Sequence, residues 1–301
     1  MPPPIGRQPA PLPVRPRQPE VSGEVRREAK PTRVADAGDT FQGGSGGPVE
    51  LTSGKTVSKA ELEALRKAGK VDLAETLEGV QKNYKKLLDA GAKIVVTTSA
   101  GNNGRPIVTV VPPALANNKD PKVKYDVVVH YHGMHGSVPN PNGSSPTRTQ
   151  IEASFKRSPP TVYVLPTAKI VPAWKGTTTA PEWSASVRDT RKTADDGVAG
   201  VVGTRRQTTV SAHSLGREAL TAAIAHKGLK ADRVDVQDGF SGAGDIKALH
   251  TWSQANPNVK LRISTGMWSQ EKIQGVRKFD PKVFQGDYSG GRHWKAELQP
   301  W

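Results

Sequence analysis

A chain of 301 residues carries 43 lysines and arginines against 28 aspartates and glutamates, a formal charge of +15, with 25 prolines, 30 glycines and no cysteine. The missing thiols exclude a disulfide framework, a thiolate-bound zinc or iron-sulfur centre and a cysteine nucleophile. No run of 18 apolar residues occurs, and the opening MPPPIGRQPAPLPVRPRQP lacks an apolar h-region. Neither a transmembrane helix nor a Sec signal peptide is therefore expected, which implies a cytoplasmic location or export by a non-Sec route.

Residues 1–40 hold seven basic and five acidic side chains, so most of the positive excess belongs to the rest of the chain. Such a field favours anionic partners, including an anionic surface, without specifying a fold. No zinc-finger spacing, aromatic RNA-binding strand or long Lys/Arg block marks a nucleic-acid binder.

Residues 1–57 are predicted to be a disordered arm and linker. Nine prolines fall before residue 35 and a Gly/Ser-rich stretch spans Gly38 to Gly54, a composition too poor in large apolar groups to offset chain entropy. Order is expected from Ser58-Lys59-Ala60-Glu61, which has the spacing of a capping box. Over residues 58–92, Leu62, Leu65, Val71, Leu73, Leu77, Val80, Tyr84, Leu87 and Leu88 recur at helical spacing, with a break at Gly69, so this segment reads as helices packing on the core.

From residue 93 to 301 the period changes. Ile94–Thr98 and Ile107–Val111, joined by Ala100-Gly101-Asn102-Asn103-Gly104, predict an antiparallel hairpin. Short apolar runs follow at Tyr125–Tyr131, Val162–Leu165, Thr208–Ser211 and Val234–Gln237, with a weaker one at Leu261–Ser264. Helix-compatible stretches at Leu215–Lys227 and Asp245–Gln254 separate several of them, with Asp245 expected as an N-cap. Strands alternating with helices predict a three-layer α/β domain with a mostly parallel sheet behind the leading hairpin.

The most informative segment is Thr208-Thr209-Val210-Ser211-Ala212-His213-Ser214-Leu215-Gly216-Arg217. A strand passes directly into a helix with a serine at the junction and small residues, Ala212 and Gly216, two positions to either side. A nucleophile elbow needs a strained turn of this kind so that the hydroxyl stands clear. The helix start would bring the Leu215 amide and the positive end of the dipole to a developing oxyanion. This segment resembles the α/β-hydrolase family in its Ala-x-Ser-x-Gly variant, as seen in some bacterial lipases.

The resemblance extends to His130-Tyr131-His132-Gly133-Met134-His135 after the third strand. A His-Gly pair there begins the family's oxyanion loop, so His132-Gly133 would match it and the Met134 amide would be the second donor. The order of hairpin, oxyanion strand, one further strand and elbow also agrees. A competing reading takes His130, His132 and His135 as zinc ligands, since the spacing resembles the His-x-His-x-Asp-His motif of metallo-β-lactamase-fold hydrolases, although Met134 stands where that motif has aspartate.

A serine nucleophile needs a base and an orienting acid, and in this family the order is serine, acid, histidine. His226 falls at the end of the elbow helix and His250 within a helix. His293, in the loop Asp287-Tyr288-Ser289-Gly290-Gly291-Arg292-His293, matches the family's catalytic position. For the acid, Asp238 directly follows the strand after the elbow helix, with Asp280 and Asp287 left open. Residues 167–206 exceed a simple crossover and suggest a lid or binding insertion. Trp174, Trp183, Trp268 and Trp294 are expected to form a substrate rim, and Trp252 to pack in the core. The resemblance thus implies a cofactor-independent serine hydrolase of an ester or amide, small or polymeric. The alternatives are the zinc hydrolase and a non-catalytic module that binds an anionic envelope polymer or a protein.

Overall fold

The structure, a computed structural model, describes residues 47–133, 148–173, 178–237 and 243–264. The proline-rich arm to residue 46, Met134, His135, Trp174, Asp238, Trp268, Asp280, Asp287, His293 and Trp294 lie outside those residues.

The described chain begins with a short strand, β1 (Val49–Leu51), inside the segment expected to be linker. Val49 and Leu51 alternate inward and are both buried, and β1 pairs antiparallel with the next strand. Two apolar residues in a Gly/Ser-rich setting give too weak a periodic signal; the sheet edge on which they lie supplies the ladder bonds.

The expected helices follow as α1 (Lys59–Lys67), α2 (Val71–Asn83) and α3 (Lys85–Asp89). The capping box forms: the Glu61 amide donates to Ser58 Oγ at 3.3 Å and the Ser58 amide donates to Glu61 Oε2 at 2.6 Å. Gly69 separates α1 from α2 at φ +75°, a backbone region open to glycine at no steric cost. Leu62, Leu65, Leu73, Leu77, Val80, Leu87 and Leu88 pack into one core layer with β1 and the hairpin strands.

The hairpin is β2 (Lys93–Ser99) and β3 (Arg105–Val111), paired antiparallel. After a single turn, α4 (Pro113–Ala116), come β4 (Lys124–Tyr131), α5 (Arg148–Ser154) and β5 (Thr161–Pro166). The insertion contains a separate two-stranded ribbon, β6 (Lys169–Ala173) with β7 (Thr178–Glu182), and then α6 (Thr190–Gly197). The elbow strand β8 (Thr204–His213) leads through a 3₁₀ turn, Ser214–Gly216, into α7 (Arg217–Ala225). The final described elements are β9 (Arg233–Gln237), α8 (Ala243–Ala255) and β10 (Lys260–Ser264). Because α8 opens at Ala243, Asp245 lies within its first turn and not at its cap.

The main sheet has the order β1-β2-β3-β5-β4-β8-β9-β10. Pairings from β5 through β10 are parallel, and those from β1 to β5 antiparallel. This is the three-layer, mostly parallel α/β architecture with a leading hairpin. From β4 the chain goes one way to β5 and later returns to the other side as β8, so strand order reverses between β4 and β8. In open α/β sheets the crevice beyond the carboxyl ends of the strands at such a point is where ligands bind.

Across this half of the sheet the rungs alternate in chemistry. Tyr131, Ala212, Val236 and Ile263 are register partners on successive strands, all buried in the core layer shared with Ala219, Leu220 and Leu249 of α7 and α8. The neighbouring rung, on the opposite face, is polar: His130, Ser211, Asp235 and Arg262. His130 Nδ1 lies 3.1 Å from Ser211 Oγ. Arg262 donates to both carboxylate oxygens of Asp235, at 3.0 and 2.6 Å, and Gln237 Nε2 donates to the same carboxylate at 2.8 Å.

This ion pair is almost fully buried, so its net contribution is small while the cost of breaking one side is large. Arg262→Met is expected to lower the unfolding free energy by about 3–5 kcal/mol. The double variant Asp235→Asn/Arg262→Met, which removes both charges, should recover most of that loss. Urea unfolding of the three proteins measures both.

Candidate active site

Ser214 stands at the carboxyl end of β8 with φ +51°, one of three non-glycine residues with positive φ among the described residues. A left-handed conformation costs an L-residue roughly 1–2 kcal/mol and persists where the surroundings over-determine it. Those surroundings are two close backbone approaches from the end of β4. A Cβ on Gly216 would overlap the Tyr131 carbonyl. A Cβ on Gly133 would lie 2.9 Å from Ser214 Cβ and 3.3 Å from His213 Nδ1. Ala212 is buried in the core layer beneath α7. The small residues around Ser214 are therefore small for different reasons, Ala212 because it fits beneath the helix and Gly216 because it admits the neighbouring strand.

Ser214 and Leu215 are partly exposed, whereas His132, Gly133 and His213 are buried. The structure thus brings Ser214, Leu215, His132 and Gly133 together at the carboxyl edge, at the reversal of strand order. Leu215 lies in the 3₁₀ turn that precedes α7.

His132 Nδ1 lies 2.9 Å from the carbonyl oxygen of Gly133. A carbonyl can only accept, so Nδ1 carries the proton and, in the neutral ring, Nε2 is the acceptor. Nε2 is buried with no hydrogen-bond partner among the described residues. Burial lowers the pKa of His132 to about 4, with the Gly133 carbonyl opposing and the neighbouring His213 adding to the decrease.

Trp183, expected at the solvent-facing rim, is fully buried. Its indole N–H donates to the His132 carbonyl at 3.2 Å. Its ring meets those of His132 and Tyr131 edge-on, at centroid distances of 4.9 and 5.2 Å. It offers no face to a ligand; it packs behind the end of β4. A tryptophan in a long insertion carries no sequence signal that separates these two roles, because the difference lies in where β7 folds back.

Of the remaining candidates, His130 belongs to the polar rung. His226 caps α7 and lies exposed, 3.2 Å from Arg188 Nη1, and His250 lies within α8. Trp252 packs partly buried against the core. No group of three or more His, Asp or Glu that could hold a metal occurs among the described residues, and no described helix is long and apolar enough to cross a membrane. A cleft of about 470 Å³ between the α1–α2 turn and the β2–β3 turn, where Arg105 meets Asp72, shares no lining residue with the elbow.

No protein-family model matches the chain, and no curated protein matches it. Solved structures similar to it include a ferulic acid esterase, 14% identical over 68% of this chain and 92% of that one, with a TM-score of 0.43. An S-formylglutathione hydrolase from Staphylococcus aureus is 10% identical over 68% and 94%, with a TM-score of 0.43. A carboxylesterase from Bacillus subtilis is 11% identical over 74% and 93%, with a TM-score of 0.38. Likeness of this degree decides neither family nor activity.

Two outcomes follow from the site's geometry. Glycine adopts positive φ freely, so Ser214→Gly should be more stable to urea than Ser214→Ala by about 1 kcal/mol. The second concerns pH. An unfolded His132 titrates near 6.5 and the folded one near 4, so between those values the unfolded chain binds the extra proton and stability falls as pH falls. The loss is on the order of 3 kcal/mol across the window and flat below it. Urea midpoints at pH 7, 5.5 and 4 should show this component in the wild type and lack it in His132→Asn.

Proposed function

We propose that the protein is a serine hydrolase that cleaves a carboxylic ester or amide through an acyl-enzyme. The observation that carries this reading is the backbone of Ser214, held left-handed between β8 and α7 with Gly133 pressed against its Cβ at the reversal of strand order. A buried packing serine has no need of that strain, whereas a nucleophile gains from it, because the turn lifts the hydroxyl clear of both strand and helix. The dry, neutral surroundings supplied by His132 also suit a reaction that develops charge on a substrate oxygen, since fixed dipoles act more strongly where water is excluded.

In this reading Ser214 Oγ attacks the carbonyl carbon while His293 takes its proton, and Asp238 holds the imidazole tautomer. The carbonyl oxygen, now negative, accepts from the Leu215 and Met134 amides. Collapse of the tetrahedral intermediate breaks the bond to the leaving group, which receives the proton from His293. Water, activated by the same imidazole, then attacks the acyl-enzyme and releases the acid. Each oxyanion donor contributes roughly 3–4 kcal/mol to the lowered barrier. The substrate would be a small molecule or the end of a polymer carrying such a bond, and no cofactor takes part.

Incubation with a fluorophosphonate probe should phosphonylate Ser214, located by peptide mass mapping, and the protein should hydrolyse a short-chain p-nitrophenyl ester. Ser214→Ala should lose both, by at least about 10³-fold in kcat, while EDTA leaves the wild-type rate unchanged. Full activity in Ser214→Ala, or a loss with EDTA that zinc restores, would overturn the proposal.

A further inference from the structure

The carbonyl of Ser214 is held twice by one residue, Arg217. The Arg217 amide is shared between the Ser214 and Leu215 carbonyls at the end of the 3₁₀ turn. Arg217 Nη1 is a second donor, 3.4 Å from the Ser214 carbonyl oxygen. A peptide is planar, so holding this carbonyl holds ψ at Ser214, the residue whose φ of +51° lies outside both strand and right-handed helix. An amide divided between two carbonyls cannot align fully with either, which leaves the guanidinium a part in fixing the turn.

Arg217 also stands where local rules disfavour it. It is the first residue of α7, at the positive end of the helix dipole, where a carboxylate such as Glu218 is favoured and a cation is not. Its side chain is only 15% exposed, with Glu218 Oε1 3.8 Å from Nη2. A cation set against the dipole and largely covered costs stability that the same residue on an open helix face would not. Departures of this kind gather at functional sites, and this one lies three residues from the strained serine.

We propose that Arg217 is a positioning residue for the nucleophile, holding the left-handed turn of Ser214 through the Ser214 carbonyl. This inference rests on the serine-hydrolase reading and adds to it the side chain that fixes the nucleophile's backbone. In this role Arg217 acts through the serine and not on the substrate. A loosened turn lowers the fraction of molecules whose hydroxyl stands in attacking position, so the effect belongs in kcat and in the rate of phosphonylation, and not in KM.

The test compares Arg217→Met, which keeps the packing of the stem but removes every donor, with Arg217→Lys, which keeps a charged donor. Rates with the p-nitrophenyl ester are expressed per active site titrated with fluorophosphonate. In Arg217→Met, kcat and the phosphonylation rate constant should both fall about 10-fold, the scale of one charge-assisted hydrogen bond, with KM within about 2-fold. Arg217→Lys should recover most of that loss. A second readout needs no activity. Ser214-Leu215 is the one Ser-Leu pair in the sequence, so protein grown with ¹³C-carbonyl serine and ¹⁵N leucine gives a single carbonyl–amide NMR signal, that of the held peptide. Its carbonyl shift should move upfield in Arg217→Met and return toward the wild-type value in Arg217→Lys.

Should Arg217→Met fail to fold, Arg217→Gln, whose amide nitrogen stops two bonds short of Nη1, takes its place in both measurements. An unchanged carbonyl shift, or a changed one with kcat and phosphonylation unaltered per titrated site, would overturn the inference, whatever the melting temperature. A wild-type protein that fluorophosphonate does not modify at Ser214 would instead overturn the hydrolase reading, and the inference with it.

Discussion

The arrangement of this domain turns on how closely two backbones approach at the carboxyl edge of its sheet. The end of β4 lies against the turn that leaves β8, and the gap is too narrow for a side chain at either Gly133 or Gly216. That contact holds Ser214 in a left-handed conformation it would not adopt alone. Close packing of this kind leaves few alternative positions for the atoms involved. The strain at one residue is thus offset by the packing of two strands and a helix, the condition under which such a conformation survives folding.

The sheet behind the edge makes that contact rigid. Its apolar rung of Tyr131, Ala212, Val236 and Ile263 seals β4, β8, β9 and β10 under α7 and α8. The polar rung beside it locks the same strands from the other face, with Asp235 saturated by Arg262 and Gln237. A buried ion pair contributes little net stability compared with apolar side chains of the same size. It does penalise any register in which its partners separate, and a slip of one residue would turn Asp235 into the apolar layer.

The electrostatics of the site follow from the same burial. His132 is held neutral because its ring has lost water and its proton is committed to the Gly133 carbonyl. A charged imidazolium there would have to be solvated by groups that the described surroundings do not offer. Neutral imidazole and indole groups therefore back the end of β4, their directions fixed by hydrogen bonds to its carbonyls.

Local sequence signals determined the parts of this protein whose physics is local. Ser58 and Glu61 announced a capping box, the β-branched runs announced β2, β3, β4, β5, β8 and β9, and the serine between small residues announced the elbow. Each of these leaves its mark within a few residues of chain, even where distant contacts complete it. Only the tertiary structure decided the rest. Val49 and Leu51 became a strand because a sheet edge was there to pair with, and the insertion's ribbon and α6 had no clear period to reveal them. Gly216 proved to make room for β4 as well as for its own helix, a requirement set by a residue more than eighty positions away. Trp183 passed from an expected surface rim to a buried clamp on His132 for the same reason: hydrophobicity records that a side chain will be covered, and only the folded path of β7 determines what covers it.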